Sequence, residues 1–331
     1  MDFGAVLDAA VSQALGPQAI VFAIAAIGLN IHFGYTGLLN FGQAGFMAVG
    51  GFALAVTMVQ FDLPFAIGLL AGLVVSVILA FVLGAPPLRL RADYLAIVTI
   101  ATAEILRLIL GAVEFKDFFG GSNGLNGYVG SFQSLNPYDD GLDIGIGSWS
   151  RNDLWSMTVG WIIVGLGCLL VWALMRSPWG RLLRSIREDE DAVRSLGKNV
   201  FSYKMQSLIL GGVFGGIAGM FHVLKQGSAV PTDFNTTFTF FAYAALLIGG
   251  AARVFGPVVG SMLFWFLVSG LGQLFGQLTS GDDPFLPTWL MTNTQSSLVR
   301  FIVLGGGLML LMIFRPQGIF GDRREIAIDA R

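Results

Sequence analysis

Long apolar stretches alternate with short polar segments along almost the whole chain. A helix that crosses a bilayer needs about 20 consecutive apolar residues. Runs of that length, or nearly so, lie at 18–34, 41–60, 64–85, 93–113, 156–175, 205–224, 237–252, 255–278 and 298–314. The pattern predicts an all-α, polytopic membrane helix bundle with about 9 transmembrane helices (8–10), which form a single integral membrane domain over residues 1–331.

Two neighbouring pairs of runs are difficult to separate. Glycines and polar residues lie at the junction of 18–34 with 41–60, and at the junction of 237–252 with 255–278. Such junctions suit either separate spans or broken and re-entrant helices. Both arrangements leave the core of the protein inside the membrane.

Composition excludes a soluble domain. Of the 331 residues, 55% are hydrophobic and 12% are charged, and the mean hydropathy is +0.74. The 45 glycines favour helices that approach one another closely in lipid. The single Cys168 excludes a disulfide within the chain. No basic segment precedes the first apolar run, so we expect this run to be a retained span and not a cleaved signal peptide.

Basic residues near the ends of the runs predict which loops face the cytoplasm. Four groups agree, and they lie at Arg89 and Arg91, in the loop 176–204, at Arg253, and in the tail 315–331 with Arg315, Arg323, Arg324 and Arg331. With nine spans, the N-terminus and the acidic loop 115–155 then lie outside the cell. That loop is either an ordered cap or a solvated connector.

The loop 176–204 has the highest density of charge in the chain. Seven arginines and lysines surround the acidic run Glu188, Asp189, Glu190 and Asp191. Acidic residues stabilise the start of a helix, and Gly197 is able to close one in the left-handed conformation. The loop therefore predicts a short cytoplasmic helix and a partner inside the cell.

A few polar side chains lie at membrane depth. Glu104 and Arg107 are three residues apart on one helix face, where they either line a water-filled path or form a structural pair. Asn30, Asn40 and Gln43 lie among glycines, which suits either a polar solute path or amides that cap helix ends at a tight turn.

Gly211, Gly215 and Gly219 recur every four residues and predict a smooth helix face that packs closely, either within the chain or against another subunit. His32 and His222 lack further ligands at suitable spacing, so we expect no metal site. No Gly-x-x-x-x-Gly-Lys-[Ser/Thr] motif occurs. If ATP powers this protein, another chain must hydrolyse it.

These motifs together resemble the permease subunits of branched-chain amino acid ABC importers. The similar segments are 28–30, 34–44, 88–99, 104–108, 121–125, 185–192, 249–250, 256–260 and 314–321. Residues 88–99 are similar to the longer, LivM-like permease type. The match follows the family order and covers nearly the whole chain.

The resemblance implies an alternating-access importer with a second, LivH-like permease, two cytoplasmic ABC ATPases and an extracytoplasmic solute-binding protein. That protein would dock on 115–155, 226–236 and 279–297. The chain would lie in the bacterial or archaeal cell (inner) membrane, in contact with membrane lipid and not with nucleic acid. It would be no enzyme and bind no cofactor, because the ATPases would use ATP and Mg.

The resemblance also implies that Glu188 to Leu196 is the coupling helix, which contacts an ATPase. Glu190, Asp191 and Ala192 followed by Gly197 are similar to the Glu-Ala-Ala and Gly pattern of importer permeases, but the second position is acidic and the glycine lies one residue further on. A permease for urea or short amides is the alternative cargo. A secondary transporter would need several ion-coupling carboxylates in its spans, and this sequence offers only Glu104. A membrane enzyme would need catalytic His, Ser, Cys or acidic residues that converge at one bilayer face, and the sequence shows no such group.

Overall fold

The computed structural model describes residues 2–89, 92–279 and 293–321, which form a bundle of helices. In chain order, the α-helices in these ranges are α1 (Phe3–Leu15), α2 (Pro17–Leu29), α3 (Gln43–Val59), α4 (Phe65–Gly84), α5 (Ala92–Gly111), α6 (Lys116–Phe119), α7 (Gly130–Gln133), α8 (Arg151–Arg176), α9 (Pro178–Glu188), α10 (Glu190–Ser195), α11 (Val200–Gln226), α12 (Thr236–Gly249), α13 (Gly256–Thr279) and α14 (Asn293–Phe314). The short strands are β1 (Leu125–Asn126), β2 (Leu142–Asp143), β3 (Ser148–Trp149) and β4 (Ser228–Ala229).

Helices α2 and α11 form the centre of the bundle. All residues of α2 except Gln18 are buried, as expected for a helix that is apolar on every side. α11 packs against α2, α3 and α4, while α8, α12 and α13 contact the other sides of α2. Phe22 of α2 stacks on Phe238 of α12 with 4.1 Å between the ring centroids.

Glycines let α11 approach its neighbours closely. A Cβ atom added at Gly219 would lie 1.9 Å from the carbonyl oxygen of Met47 on α3, and one at Gly211 would lie 2.2 Å from Nε2 of His32. A Cβ at Gly215 would also meet α3 side chains. The glycine face that the sequence predicts therefore packs within the chain.

The peripheral helices carry apolar side chains on their outer faces. α4, α5 and α8 expose residues such as Leu70, Ile97, Ile105 and Leu166. Contiguous apolar surface of this kind would be unstable in water. These faces therefore suit contact with lipid or with another membrane subunit.

The junction between 18–34 and 41–60 is a break between two helices. The α2 helix continues into a π-helix over Asn30–Tyr35, and the chain then runs irregularly to Gly42 before α3 begins. Gly37 has a φ of 73°, which favours glycine, and the amide of Leu38 donates to the carbonyl of His32 at 2.8 Å. We call residues 30–42 the helix break.

Each predicted run lies on one α-helix, except that 18–34 continues from α2 into the π-helix, and the helices differ in length. Six helices of the described part are long and apolar enough to cross a membrane, judged by length and composition. The runs at 41–60 and 237–252 lie on α3 and α12, which have 17 and 14 residues, and the run at 298–314 lies on α14. At 1.5 Å per residue, α12 reaches only about 21 Å. The number of about nine spans stays a prediction.

The loops gather at the two ends of the bundle. At one end, α9 and α10 lie near the helix break, and the amides of Ile319 and Phe320 donate to carbonyls at the end of α12. At the other end, residues 113–150 form an ordered cap in which β2 pairs with β3, and β1 pairs with β4 of the 227–235 connector.

This grouping is compatible with the predicted sidedness, although the membrane sides themselves stay predicted. Several residues used in that prediction lie outside the described ranges. They are Arg91, Arg323, Arg324 and Arg331. Positions 280–292 of the 279–297 connector, which the resemblance assigns to docking of the solute-binding protein, also lie outside the described ranges.

Candidate functional site

Two short helices follow α8 because the sequence supplies caps for both. The hydroxyl of Ser177 accepts from the amide of Trp179 at the start of α9. Asp189 ends α9 and caps α10, where its carboxylate accepts from the amide of Ala192 at 2.9 Å. Gly197 follows α10 with a φ of 76°, the left-handed conformation that the sequence predicts for the helix end.

One side of α10 is attached to the rest of the protein. Val193 is buried against Ile186 of α9 and Val200 of α11. The carboxylate of Glu190 accepts from the ammonium of Lys204 on α11 and from the guanidinium of Arg194. These contacts give a six-residue helix a fixed orientation that it could not maintain alone.

The other side of α10 is open. The Asp191 side chain is 88% exposed, and Leu196 is 79% exposed. Glu188, Asp189 and Ala192 are exposed as well. A strongly exposed leucine near acidic residues, in a loop that is otherwise polar, suits contact with a protein partner.

Arg187 joins α9 to the helix break. Its guanidinium donates to the carbonyl of Gly34, and its aliphatic stem lies against Gly37, where an added Cβ would be 3.0 Å from Cγ of Arg187. The carbonyl of Gly34 lies in the last turn of the π-helix, where carbonyls lack intrahelical partners. Arg187 therefore attaches α9 directly to residues 34–37.

Amide side chains connect the helix break to its surroundings. Asn40 accepts from the amide of Gly42 at 2.8 Å, and its Nδ2 lies 3.1 Å from Nδ1 of His32 and 3.3 Å from Oε1 of Gln43. Gln43 in turn donates to the carbonyls of Ala25 and Gly211. Asn40 and Gln43 are completely buried, so these amides stabilise irregular backbone inside the protein.

Asn30 makes the same kind of connection at the other end of the π-helix. Its Oδ1 accepts from the amide of Ala252, and its Nδ2 donates to the carbonyl of Arg253, both at 2.8 Å. Asn30 is 1% exposed. The loop between α12 and α13 is thus attached to the helix break, and Asn30, Asn40 and Gln43 belong to one set of bonds around it.

Glu104 and Arg107 form an ion pair on α5. Two bonds of 3.0 and 2.5 Å join the guanidinium to the carboxylate. The Glu104 side chain is 42% exposed and that of Arg107 is 24% exposed, on the face that also carries Ile97, Ile105 and Leu108. Charged groups in contact with lipid tails are costly, even as a pair. This face of α5 carries both apolar side chains and an ion pair, so it suits contact with another membrane subunit.

The sequence of the chain is similar to a known family of membrane permeases. Residues 15–312 match the family model described as the permease component of the branched-chain amino acid transport system. The match covers nine-tenths of the chain. The chain belongs to this permease family.

Three curated relatives of the permease carry the name LivM. The high-affinity branched-chain amino acid transport permeases of Salmonella typhimurium and Escherichia coli K12 are each 30% identical, over 92% and 91% of this chain and 69% and 68% of their own length. A probable branched-chain amino acid permease of Methanocaldococcus jannaschii is 24% identical over 92% of this chain and 91% of its own. The resemblance to LivM-type permeases is confirmed, and the permease is a multi-pass membrane protein.

Two features of the permease escape sequence reasoning. The sequence predicts one short helix in 176–204, but α9 precedes α10 and makes the contact with the helix break. The signal was present, since Ser177 and Pro178 are typical of a helix start and apolar residues recur at Leu182, Leu183 and Ile186. The bond between Arg187 and Gly34 joins residues 153 positions apart and could not be read from the chain.

Proposed function

We propose that this chain is the membrane-spanning permease subunit of an ATP-driven ABC importer for branched-chain amino acids. The family match and the names of its LivM relatives support the cargo class. The sequence has no phosphate-binding loop of its own, so ATP and Mg are used by separate ATPase subunits and the chain is a transport subunit without cofactor.

The observation that carries the proposal is the attachment of α10. One side of this helix is fixed to α9 and α11, and the other presents Asp191 and Leu196 to the outside. The predicted coupling helix, Glu188 to Leu196, coincides with α10 and its flanking residues. In this proposal an ATPase binds the exposed side, with Glu188, Asp189, Asp191, Ala192 and Gly197 at or near the contact, while Glu190 holds the helix to Lys204.

Alternating access follows from these connections. When ATP draws the two ATPases together, α10 moves with its ATPase, and Arg187 and Lys204 carry the displacement into the helix break and α11. Rigid-body motion of this kind switches a cavity between two sides of a membrane. ATP shifts the equilibrium between the inward-open and outward-open states only by its differential affinity for them. The contacts that join the ATPases to the spans must therefore differ in free energy between the two states.

The translocation path lies against α5 in this proposal. The ion pair of Glu104 and Arg107 needs a polar neighbour, and the second, LivH-like permease supplies the other wall of the path. Asn30, Asn40 and Gln43 support the wall from within by fixing the helix break. The solute-binding protein docks on residues 115–155, most of which belong to the ordered cap, and on the 226–236 connector. The predicted docking residues 279–297 lie mostly outside the described part of the chain.

Uptake by cells tests the proposed function. We expect uptake of labelled leucine by cells that express the complete complex to vanish when this subunit is deleted, and uptake of labelled urea to stay unchanged. Loss of urea uptake with unchanged leucine uptake would keep the transport role and replace the cargo. If neither uptake changes, the proposed function is wrong.

A further inference from the structure

A basic cavity lies beside α9, at the end of the bundle that carries the coupling loop. Its volume is about 410 Å³, and three arginines line it together with aromatic side chains. The arginines are Arg176 at the end of α8, Arg184 on α9 and Arg253 between α12 and α13. Three guanidinium groups around one cavity favour an anionic ligand.

The first two arginines are held in place without a counter-charge. The guanidinium of Arg176 stacks on the Trp172 ring at 4.2 Å, and Arg184 donates to the carbonyl of Met175 at 2.9 Å. In the part of the chain that the structure describes, no carboxylate forms an ion pair with either. Moreover, Nε of Arg184 is buried and donates to nothing in that part. A buried donor of this kind favours an acceptor supplied from outside.

An apolar groove continues from the basic cavity. It also has a volume of about 410 Å³, and it lies between α8 and α13, where Gly165, Leu169 and Val258 contribute to its wall. Trp172 and Phe255 line both spaces, so the two adjoin. From Trp172 to Gly165 the groove follows α8 for roughly 10 Å at 1.5 Å per residue.

We propose that the cavity and the groove together form a site for an anionic phospholipid. The phosphate binds Arg176, Arg184 and Arg253, and an acyl chain lies in the groove along α8. Arginine suits phosphate because its planar fork donates two parallel bonds. Basic pockets between membrane helices at the cytoplasmic side are suited to anionic headgroups.

The groove distinguishes lipid from free phosphate, because free phosphate would fill the arginine half alone. A lipid seated here would join α8 and α9 to the loop between α12 and α13, next to the contact of Arg187 with the helix break. The site is independent of the cargo and of the proposed ATPase contact.

The test measures lipid binding to the complete transporter complex after delipidation in detergent. Native mass spectrometry follows titrations with dioleoyl phosphatidylglycerol, dioleoyl phosphatidylcholine and inorganic phosphate. We expect phosphatidylglycerol to bind roughly tenfold more tightly than phosphatidylcholine, because only its headgroup leaves the phosphate charge uncompensated. Inorganic phosphate should compete only weakly with phosphatidylglycerol for the site.

Matched variants locate the binding site. The double variant R176Q/R184Q should lose the preference for phosphatidylglycerol, whereas Arg151→Gln at the opposite end of α8 should keep it. Gly165→Phe should weaken the binding of both lipids. No atom lies within 4 Å of a Cβ added at Gly165, so the phenyl ring can occupy the groove. Gly305→Phe on α14 is the control, because Gly305 is equally open. If the double variant fails to assemble, Arg176→Gln alone tests the preference.

Three results would overturn the proposal. Equal binding of the two lipids to the unaltered complex would remove the headgroup site. Strong competition by inorganic phosphate, with no effect of Gly165→Phe, would indicate a free anion site. Release of the ATPases from R176Q/R184Q with unchanged lipid preference would assign the arginines to a protein contact.

Discussion

Polar side chains at membrane depth serve the backbone in this permease. A break in a helix leaves amide and carbonyl groups without intrahelical partners, and in lipid no water replaces them. Asn30, Asn40 and Gln43 supply those partners to residues 30–42 and to the loop after α12. Their burial favours the cap at a tight turn, the alternative that the sequence left open beside a solute path.

Replacement of Asn40 separates these two roles. Asn40→Leu leaves the amide of Gly42 and Oε1 of Gln43 without this partner, and each unsatisfied buried group costs about 1–3 kcal/mol. We expect a lower unfolding temperature of the purified complex and a smaller assembled yield. The exposed Asn235→Leu is the control and should change neither. Normal stability with altered solute selectivity would instead show that Asn40 faces the path.

Glu104 tests the α5 face. Glu104→Gln keeps a hydrogen-bond acceptor for Arg107 but leaves its charge uncompensated, so we expect leucine uptake to fall severalfold while the complex still assembles. The exchanged pair, Glu104→Arg with Arg107→Glu, restores neutrality and should restore assembly in any variant that lost it. Loss of assembly without a transport defect in the assembled fraction would mean that the pair only holds helices together.

At the scale of helices, the coupling loop shows how short elements gain a defined position. α10 is too short to be stable alone, and Val193, Glu190 and two caps fix it on α9 and α11. Because α9 also contacts the helix break through Arg187, the loop is attached to the centre of the bundle.

The sequence predicts the helices well because apolar length is a strong signal in membrane proteins. Every predicted run lies largely on one helix, and the acidic run with Gly197 marks α10. Partners are harder to predict: the sequence marks Gly211, Gly215 and Gly219 as a packing face, but only the fold shows that Met47 and His32 fill it. Helix α1 was not predicted, since 13 residues with Asp8 among them resemble neither a span nor a loop signal.

Over the whole molecule, an exposed helix at one end is connected through α9 to a broken helix at the centre of the bundle. α10 presents Leu196 and Asp191. In the proposed function, Arg187 and Lys204 carry its movement inward, and the buried amides keep the break intact. We propose that α10 transmits the movement of separate ATPase subunits to the translocation path in the membrane.

Leu196 gives the most direct test of that claim. The measurement compares Leu196→Asp with Leu196→Met in the reconstituted complex, and it records leucine uptake together with ATP hydrolysis stimulated by the solute-binding protein. We predict that Leu196→Asp reduces both by at least roughly tenfold, as loss of an apolar anchor does at an interface, while Leu196→Met keeps both and each variant inserts normally. Unchanged uptake and stimulated hydrolysis in Leu196→Asp would contradict the account.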